Sequence, residues 1–180
     1  MFRKRSTLNP RLMALIAILS AVTVVFTLVV RIPFAPTRGY FTLADVGVYF
    51  AAFAFGPWVG FVVGGLGTGL ADILGGYAHF AIASFLIHGL QGLLAGLYGY
   101  RHGRLGLLAG WLAGAVMMVA GYFFVETFLY GPGPAAAEAL TVNLPQVVIG
   151  GILAVLLVLA VRRAYPQLEL LSQPRSWHEG

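Results

Sequence analysis

Polar side chains that could bind a ligand recur at helical spacing inside otherwise apolar sequence. Residues three or four positions apart share one face of a helix. Three such sets occur: Ser84, His88 and Gln91; Tyr122 and Glu126; Asn143 and Gln146. Their hydroxyl, imidazole, carboxyl and amide groups can donate hydrogen bonds to a small polar molecule and accept them from it. If the helices that carry them converge, these faces predict a binding pocket.

A glycine-rich turn adds further candidates for the same site. Asp72 ends an apolar run just before Gly75 and Gly76, and Tyr77 and His79 follow them. If these apolar runs cross a membrane, ionisable side chains within them are costly and normally face a bundle interior or a water-filled cavity. We therefore count Asp72, Tyr77 and His79 among the candidate binding residues.

The acidic residues also have structural interpretations. Asp45 ends a Thr-Leu-Ala-Asp run that resembles a capping box, which favours a helix cap over a ligand contact. Asp72 could pair with Arg38 or simply end its helix, and Glu126 could pair with Arg31 or Arg38 to hold the outer loops.

The amide and imidazole groups have alternatives too. His88 and Gln91 could form an interhelical hydrogen bond. Asn143 and Gln146, near a helix start, could satisfy free backbone N–H groups.

Motifs for catalysis are absent from the sequence. It contains no cysteine, no Gly-x-Ser-x-Gly, no His-Glu-x-x-His and no dense acidic cluster for a metal-dependent phosphotransferase. An intramembrane enzyme that uses His88 with Glu126 or Asp72 as acid and base is the main rival hypothesis. We expect a protein with no catalytic residue, no metal ion and no cofactor.

The composition is that of a membrane protein. Hydrophobic residues make up 59% and charged residues 9% of the 180 residues, whereas a soluble domain carries about 25% charged residues. The net charge of +5 comes from basic residues that flank apolar runs. This arrangement indicates contact with the lipid bilayer and its anionic headgroups, and no nucleic-acid partner.

Apolar runs predict six transmembrane helices. A span needs about 20 apolar residues, and residues 12–30, 80–98, 105–128 and 142–161 each supply one. The run at 43–74 is too long for one span and is interrupted by Gly56-Pro57, so it predicts two helices, the first short. We predict an all-α membrane protein with one six-helix domain, residues 1–165, and a cytoplasmic tail, residues 166–180.

Basic residues predict the orientation, because Lys and Arg are retained on the cytoplasmic side. Six spans put the N-terminal Arg3-Lys4-Arg5, the loop with Arg101 and Arg104, and the tail after Arg162 and Arg163 on one side. Both termini are therefore predicted to be cytoplasmic. The candidate polar residues then lie toward the outside.

Glycines at four-residue spacing predict close helix packing. They occur as Gly56, Gly60 and Gly64; as Gly65 and Gly69; and as Gly106, Gly110 and Gly114.

Several segments resemble the substrate-binding S components of energy-coupling-factor (ECF) vitamin transporters. They are Gly39-Tyr40-Phe41-Thr42-Leu43-Ala44-Asp45-Val46, Phe55-Gly56-Pro57-Trp58-Val59-Gly60, the glycine-rich run 64–77, residues 121–126 and Asn143-Leu144-Pro145-Gln146. The resemblance covers roughly residues 10 to 160. It is nearest to the group named for riboflavin, which also contains binders of hydroxymethylpyrimidine, pyridoxine and cobalamin.

This resemblance implies a function and partners. Such proteins have six helices in a prokaryotic cell membrane, bind a vitamin from outside with outer loops and helix ends, and pass it inward by toppling. It implies a transmembrane coupling subunit and two cytoplasmic ATPases as partners. The family contacts its coupling subunit through an Ala-x-x-x-Ala face on the first helix, which Ala17 and Ala21 match and Ala14 extends.

The sequence departs from the family at one motif. Where relatives commonly read Ile-Lys-Gly-Leu-Glu-Gly, residues 87–92 read Ile-His-Gly-Leu-Gln-Gly, so His88 and Gln91 each replace a charged residue. We expect a small, flat, heterocyclic vitamin or precursor as substrate. A self-sufficient small transporter is a second rival, but it would need polar residues through the whole span, whereas the inner half is nearly all apolar.

Overall fold

The computed structural model describes residues 10–167, which form a helical bundle with one small β-hairpin. The elements are α1 (Pro10–Val29), β1 (Ile32–Phe34), β2 (Gly39–Phe41), α2 (Ala44–Phe55), α3 (Pro57–Leu74), α4 (Ala81–Gly99), α5 (Gly103–Tyr130), α6 (Pro132–Glu138) and α7 (Leu144–Ala164). A π-helical turn, Ala139–Asn143, joins α6 to α7. The basic residues Arg3, Lys4 and Arg5 and the tail segment 168–180 lie outside the described residues.

Five helical segments in the described part of the chain are long and apolar enough to cross a membrane. They are α1, α3, α4, α5 and the continuous segment Pro132–Ala164. α2 has 12 residues and is about 18 Å long, which is shorter than the apolar core of a bilayer at about 30 Å. Eleven of its residues are buried, because it packs against α1, α3, α4 and α7 in the middle of the bundle.

The predicted break between the second and third helices is confirmed. Gly56 has a φ of +99°, a conformation that favours glycine, and Pro57 follows as the first residue of α3. Proline suits this position because the backbone N–H that it lacks would have no hydrogen-bond partner in the first turn of a helix.

Glycines let the helix backbones approach closely, as the sequence predicts. A Cβ atom on Gly60 would lie 2.7 Å from the carbonyl oxygen of Gly92, and one on Gly92 would overlap the backbone of Gly60. Gly110 faces the carbonyl of Ala95 in the same way. α4 therefore packs tightly against α3 on one side and α5 on the other.

Two loops contain structure that the sequence analysis did not predict. The sequence predicts no helix between the expected spans 105–128 and 142–161, but this segment includes α6. Pro132 stands in its first turn, where proline is tolerated. The segment after α1 forms an antiparallel hairpin in which Ile32 pairs with Phe41 and Phe34 with Gly39.

Candidate ligand-binding site

A cavity of about 30 Å³ lies at one end of the bundle. Its walls come from the end of α1, the β2 strand, the start of α2, the end of α3, the start of α4, the end of α5, α6 and the segment that begins α7. Successive helices alternate in direction, so these parts of the chain meet at a single end. The cavity exceeds the roughly 10–15 Å³ that a water needs but is too small for a heterocycle. A heterocycle can therefore bind only if some of the residues that wall the cavity move.

Seven of the residues predicted from sequence line this cavity: Asp72, Ser84, His88, Tyr122, Glu126, Asn143 and Gln146. The three predicted helix faces therefore converge. The other three lie outside the cavity wall. Gln91 is buried behind His88, Tyr77 is half-buried against the hairpin, and His79 is exposed with its ring 4.6 Å from that of Phe80.

Asp45 anchors a buried hydrogen-bond network behind the cavity. Its carboxylate accepts from Nε2 of Gln91 and, at 2.7 Å, from Nε2 of Gln146. The Gln146 side chain also accepts the backbone N–H of Thr42 at 2.7 Å. The expectation that Asp45 caps its helix was wrong: the N-cap position is Leu43, the first backbone N–H of α2, that of Ala44, donates to Oγ1 of Thr42, and the Asp45 carboxylate bonds to Gln91 and Gln146.

The same network orients His88. Gln91 donates through Nε2 to Asp45, so its Oε1 can only accept, and this atom lies 2.6 Å from Nδ1 of His88. His88 must therefore carry a proton on Nδ1, and in the neutral ring Nε2 is an acceptor. Gln91 thus forms an interhelical hydrogen bond, as one alternative of the sequence analysis suggested, because its bond to Asp45 joins α4 to α2.

A second set of hydrogen bonds joins α4 to its neighbours. The hydroxyls of Ser84 and Tyr122 lie 2.6 Å apart, and Oγ1 of Thr68 donates to the carbonyl of Gly64 or that of Ser84. The Tyr122 ring also lies 5.6 Å from that of His88.

Asp72 interacts with the hairpin and makes no ion pair with Arg38, which is exposed. The hydroxyl of Tyr40 donates to Oδ1 of Asp72. Burial and the Asp72 charge raise the pKa of Tyr40 well above its usual value, so the hydroxyl stays protonated as a donor.

Arg31 connects the hairpin to the turn between α3 and α4. Its guanidinium lies 4.7 Å from the ring centre of Tyr40 and 5.2 Å from that of Tyr77, and it donates to the carbonyl of Gly75 at 2.9 Å. The suggested ion pair between Glu126 and Arg31 is therefore not formed.

Glu138 is a site residue that sequence reasoning missed. It ends α6, is 2% exposed, and packs its carboxyl group against Gly39, where a Cβ atom would overlap it. It interacts electrostatically with Glu126, which is 1% exposed and lies beside Asn143. Asn143 makes no capping bond at the start of α7.

Other wall residues also went unpredicted: Thr27, Gly39, Tyr40, Thr42, Ala44, Thr68 and Phe80. Tyr40 and Thr42 lie in a segment that carries the family resemblance, and that resemblance was the only sequence feature from which their place in the wall could have been predicted. The described residues contain no group of three or more His, Cys, Asp or Glu side chains placed to hold a metal ion. The arrangement suits reversible binding through hydrogen bonds and aromatic faces.

The predicted partner-binding face lies away from the cavity wall. Ala14, Ala17 and Ala21 are all exposed on α1, whereas Ser20, Thr23 and Thr27 of the same helix are buried against the bundle. The alanine face is therefore free to contact lipid or another protein.

Comparison with known proteins finds a matching family model and similar proteins. Residues 7–163 match the family model described as ECF-type riboflavin transporter, S component. The thiamine precursor transporter HmpT of Lactococcus lactis subsp. cremoris (strain MG1363) is 37% identical over 147 residues, which are 81% of this chain and 84% of that protein.

Two further matches extend this result. An uncharacterized protein of Pyrococcus woesei, described by its position in the gap 3′ region, is 40% identical over 121 residues, or 66% of this chain and 79% of that protein. A solved structure of the S component of a bacterial ECF transporter has a TM-score of 0.63 at 23% identity and covers 89% of this chain and 98% of its own. The two proteins share a fold.

Proposed function

Because the chain belongs to the family of ECF-type riboflavin transporter S components, we propose that it captures a small heterocyclic vitamin or vitamin precursor for uptake into a prokaryotic cell. Partner subunits would drive the uptake with ATP. The family model, HmpT and the solved structure are all described as transporters or transporter components, which supports a role without covalent chemistry.

The observation that carries this proposal is the polar cavity at one end of an apolar bundle. Its wall combines carboxyl, amide, hydroxyl and imidazole groups with the aromatic rings of Phe80 and Tyr122. The opposite half of the bundle is packed with apolar side chains, among them Phe53, Leu107 and Val158. A polar pocket at one end of the bundle, backed in the described residues by an apolar half, favours capture of a ligand over conduction.

The distribution of basic residues supports an outward-facing cavity. Arg101 lies between α4 and α5, Arg104 lies in the first turn of α5, and Arg162 and Arg163 lie in the last turn of α7, all at the end opposite the cavity. Arginines are retained in the cytoplasm. We propose that both termini are cytoplasmic, that α2 acts as a sixth and enclosed helix, and that the ligand enters from outside.

A coupling partner is needed for transport in this proposal. The only lysine of the chain is Lys4, so the sequence has no P-loop lysine with which to hydrolyse ATP. The exposed Ala14, Ala17 and Ala21 offer a flat small-residue face to a transmembrane coupling subunit, which in turn would bind two cytoplasmic ATPases.

Reconstitution tests the proposal directly. The protein should be purified in detergent, any co-purified ligand identified by mass spectrometry, and uptake of that ligand measured in liposomes. We expect tight binding by the protein alone and ATP-dependent uptake only with the coupling subunit and ATPases. Uptake without these partners, or chemical conversion of the ligand, would exclude an S component and favour one of the rival classes.

A further inference from the structure

We propose that a groove between α5 and α7 binds an anionic phospholipid, with one acyl chain in the groove and the phosphate headgroup on Arg104 and Arg163. This site lies on the outer surface of the bundle, toward the end opposite the polar cavity, and is separate from the proposed vitamin site. Binding there requires only that the bundle lies in a bilayer, and it does not depend on which vitamin is captured.

The α5–α7 groove has the dimensions of a lipid chain site. Its volume is about 400 Å³, more than ten times that of the polar cavity. On α7 its lining runs from Gly151 to Leu159, and on α5 it consists of residues three or four positions apart on one helix face: Arg104, Leu107, Leu108 and Trp111. These stretches are about 12 Å and about 10 Å long. The groove therefore covers most of one leaflet, whose apolar part is about 15 Å thick.

Trp111 closes the end of the groove that lies deepest in the bundle. Its indole N–H donates to the carbonyl of Val147 at 3.0 Å, and a Cβ atom on Gly151 would overlap the ring. The ring therefore lies directly against the α7 backbone and is held there. Leu107, which is 4% exposed, forms the floor, and Leu156, which is 59% exposed, forms part of the edge. Such a concave apolar surface can contact a hydrocarbon chain along its length, and these dispersion contacts add up.

The positive charge at the other end of the groove specifies the headgroup. Arg104, in the first turn of α5, is exposed and is the only charged residue that lines the groove within residues 10–167. Arg163 is also exposed and follows Leu159 by one turn on the same face of α7. Arg162 is instead engaged by α2, where it donates to the carbonyl of Phe53 at 2.8 Å. Two arginines at the end of an apolar groove match the phosphate and the chain of one lipid.

No acidic side chain of residues 10–167 competes with a headgroup for these two arginines. The acidic residues in this range are Asp45, Asp72, Glu126 and Glu138. The last three line the polar cavity, and Asp45 is hydrogen-bonded to Gln146 behind it, so all of them lie at the opposite end of the bundle. In the proposed orientation the arginines face the cytoplasmic leaflet, which is the leaflet rich in anionic lipid.

A second groove of similar size provides an internal comparison. It lies between α3 and α4, has a volume of about 340 Å³, and is lined by apolar residues that include Leu70, Ile82 and Phe85. Within the part of the chain that the structure describes, no charged residue lines it. A lipid chain in the α3–α4 groove gains no contact for its phosphate, so we expect no preference for anionic lipid there.

Fluorescence quenching at Trp111 tests the site in the full-length protein. Trp58→Phe and Trp177→Phe leave Trp111 as the only tryptophan. This protein is reconstituted in phosphatidylcholine vesicles that contain an equal fraction of either brominated phosphatidylglycerol or brominated phosphatidylcholine, because bromine on an acyl chain quenches an indole that it contacts. One arginine near the surface favours an anionic lipid about fivefold, so we expect a preference for phosphatidylglycerol of roughly five- to thirtyfold. Equal quenching by the two lipids would overturn the inference, and it is the result expected if a partner helix or a second copy of the chain is the true occupant.

Charge variants assign the preference to the end of the groove. Arg104→Gln removes the charge at an exposed position, and we expect it to reduce the preference for phosphatidylglycerol about fivefold. Arg11→Gln removes an exposed arginine outside the groove and should keep the preference, so it is the matched control for net charge. Equal losses in the two variants would show only a general attraction of anionic lipid to basic residues and would overturn the inference, as would an unchanged preference in Arg104→Gln.

Bulk variants assign the chain to the groove itself. Val155→Phe fills space in the α5–α7 groove and should reduce the preference for phosphatidylglycerol, whereas Ile82→Phe, in the α3–α4 groove, should leave it unchanged. A full preference in a folded Val155→Phe protein would contradict binding of the chain at this place. If Val155→Phe does not fold, the comparison of Arg104→Gln with Arg11→Gln decides the matter.

Discussion

The guanidinium of Arg31 lies 4.7 Å from the ring centre of Tyr40, and the hydroxyl of the same Tyr40 donates to Asp72 in the cavity wall. One aromatic ring thus joins a cation outside the cavity to a carboxyl group inside it. The contact orients β2, which covers the cavity. A desolvated cation–π contact contributes about 2 kcal/mol, more than an exposed one.

Removing the guanidinium should loosen the cover. In Arg31→Ala the ring contacts and the hydrogen bond to Gly75 are lost, so we expect a lower melting temperature and faster ligand dissociation, by roughly tenfold. Stopped-flow displacement measures the rate. Arg38→Asn is the control, because Arg38 is exposed and asparagine tolerates its φ of 56°. Equal effects from both variants would indicate that charge alone is responsible.

Breaking the Asp45 network should destabilise the protein without ligand. Gln146→Leu leaves Oδ2 of Asp45 and the backbone N–H of Thr42 without their partner, at a cost of about 2–3 kcal/mol. Thermal unfolding in detergent should show the loss. Thr141→Val removes only an exposed hydrogen bond to the carbonyl of Ala137 and should change stability by less than about 0.5 kcal/mol. An unchanged melting temperature for Gln146→Leu would show that the network contributes little.

Glycine contacts between α3 and α4 should be intolerant of a methyl group. The new Cβ in Gly92→Ala would overlap the backbone of Gly60, so the helices must separate, at about 1–3 kcal/mol. Gly133→Ala is the matched control, since a Cβ there meets nothing within 4 Å and alanine favours α6. Loss of thermal stability only in Gly92→Ala is the expected result. Equal stability of the two variants would contradict the close packing.

The proposed orientation can be tested by labelling, because the chain has no cysteine of its own. Single cysteines at Ala78 and Ala137, both exposed at the cavity end, should react with an impermeant maleimide in intact cells. A cysteine at the exposed His102, at the opposite end, should react only after lysis. The reversed pattern would place the cavity in the cytoplasm.

The alanine face of α1 should matter for transport and not for binding. Ala17→Trp adds bulk to an exposed position, so we expect loss of coupled uptake while ligand affinity of the isolated protein stays the same. Val116→Trp, exposed on α5, is a control for bulk at the surface. If Ala17→Trp reduces affinity as strongly as uptake, α1 does not serve as the partner face.

Local signals account for what the sequence predicted well. Gly56 and Pro57 predict the break between α2 and α3 from backbone sterics alone. The polar faces of α4 and α5 are predicted by helical periodicity. These features depend on neighbours a few residues away. The cavity wall at Ser84, His88, Tyr122 and Glu126 could therefore be inferred before any tertiary contact was known.

Long-range contacts account for what was missed. Glu138 is buried because its carboxyl group meets Gly39, about a hundred residues earlier, and no periodicity marks that approach. Asp45 looked like a cap because its local run fits one, whereas its partners Gln91 and Gln146 come from α4 and α7. α6 was not predicted because it contains Gly133 and two prolines, and a segment of that composition is usually assigned to a loop.

The enclosure of α2 bears on how the protein is made. A 12-residue segment that carries Asp45 in its first turn is a poor substrate for independent insertion by the translocon. α3 follows after the Gly56-Pro57 corner and is long enough to enter the bilayer itself. We therefore expect α2 to be retained beside the ribosome until α3 has been synthesised, and the pair to enter the membrane together as a helical hairpin.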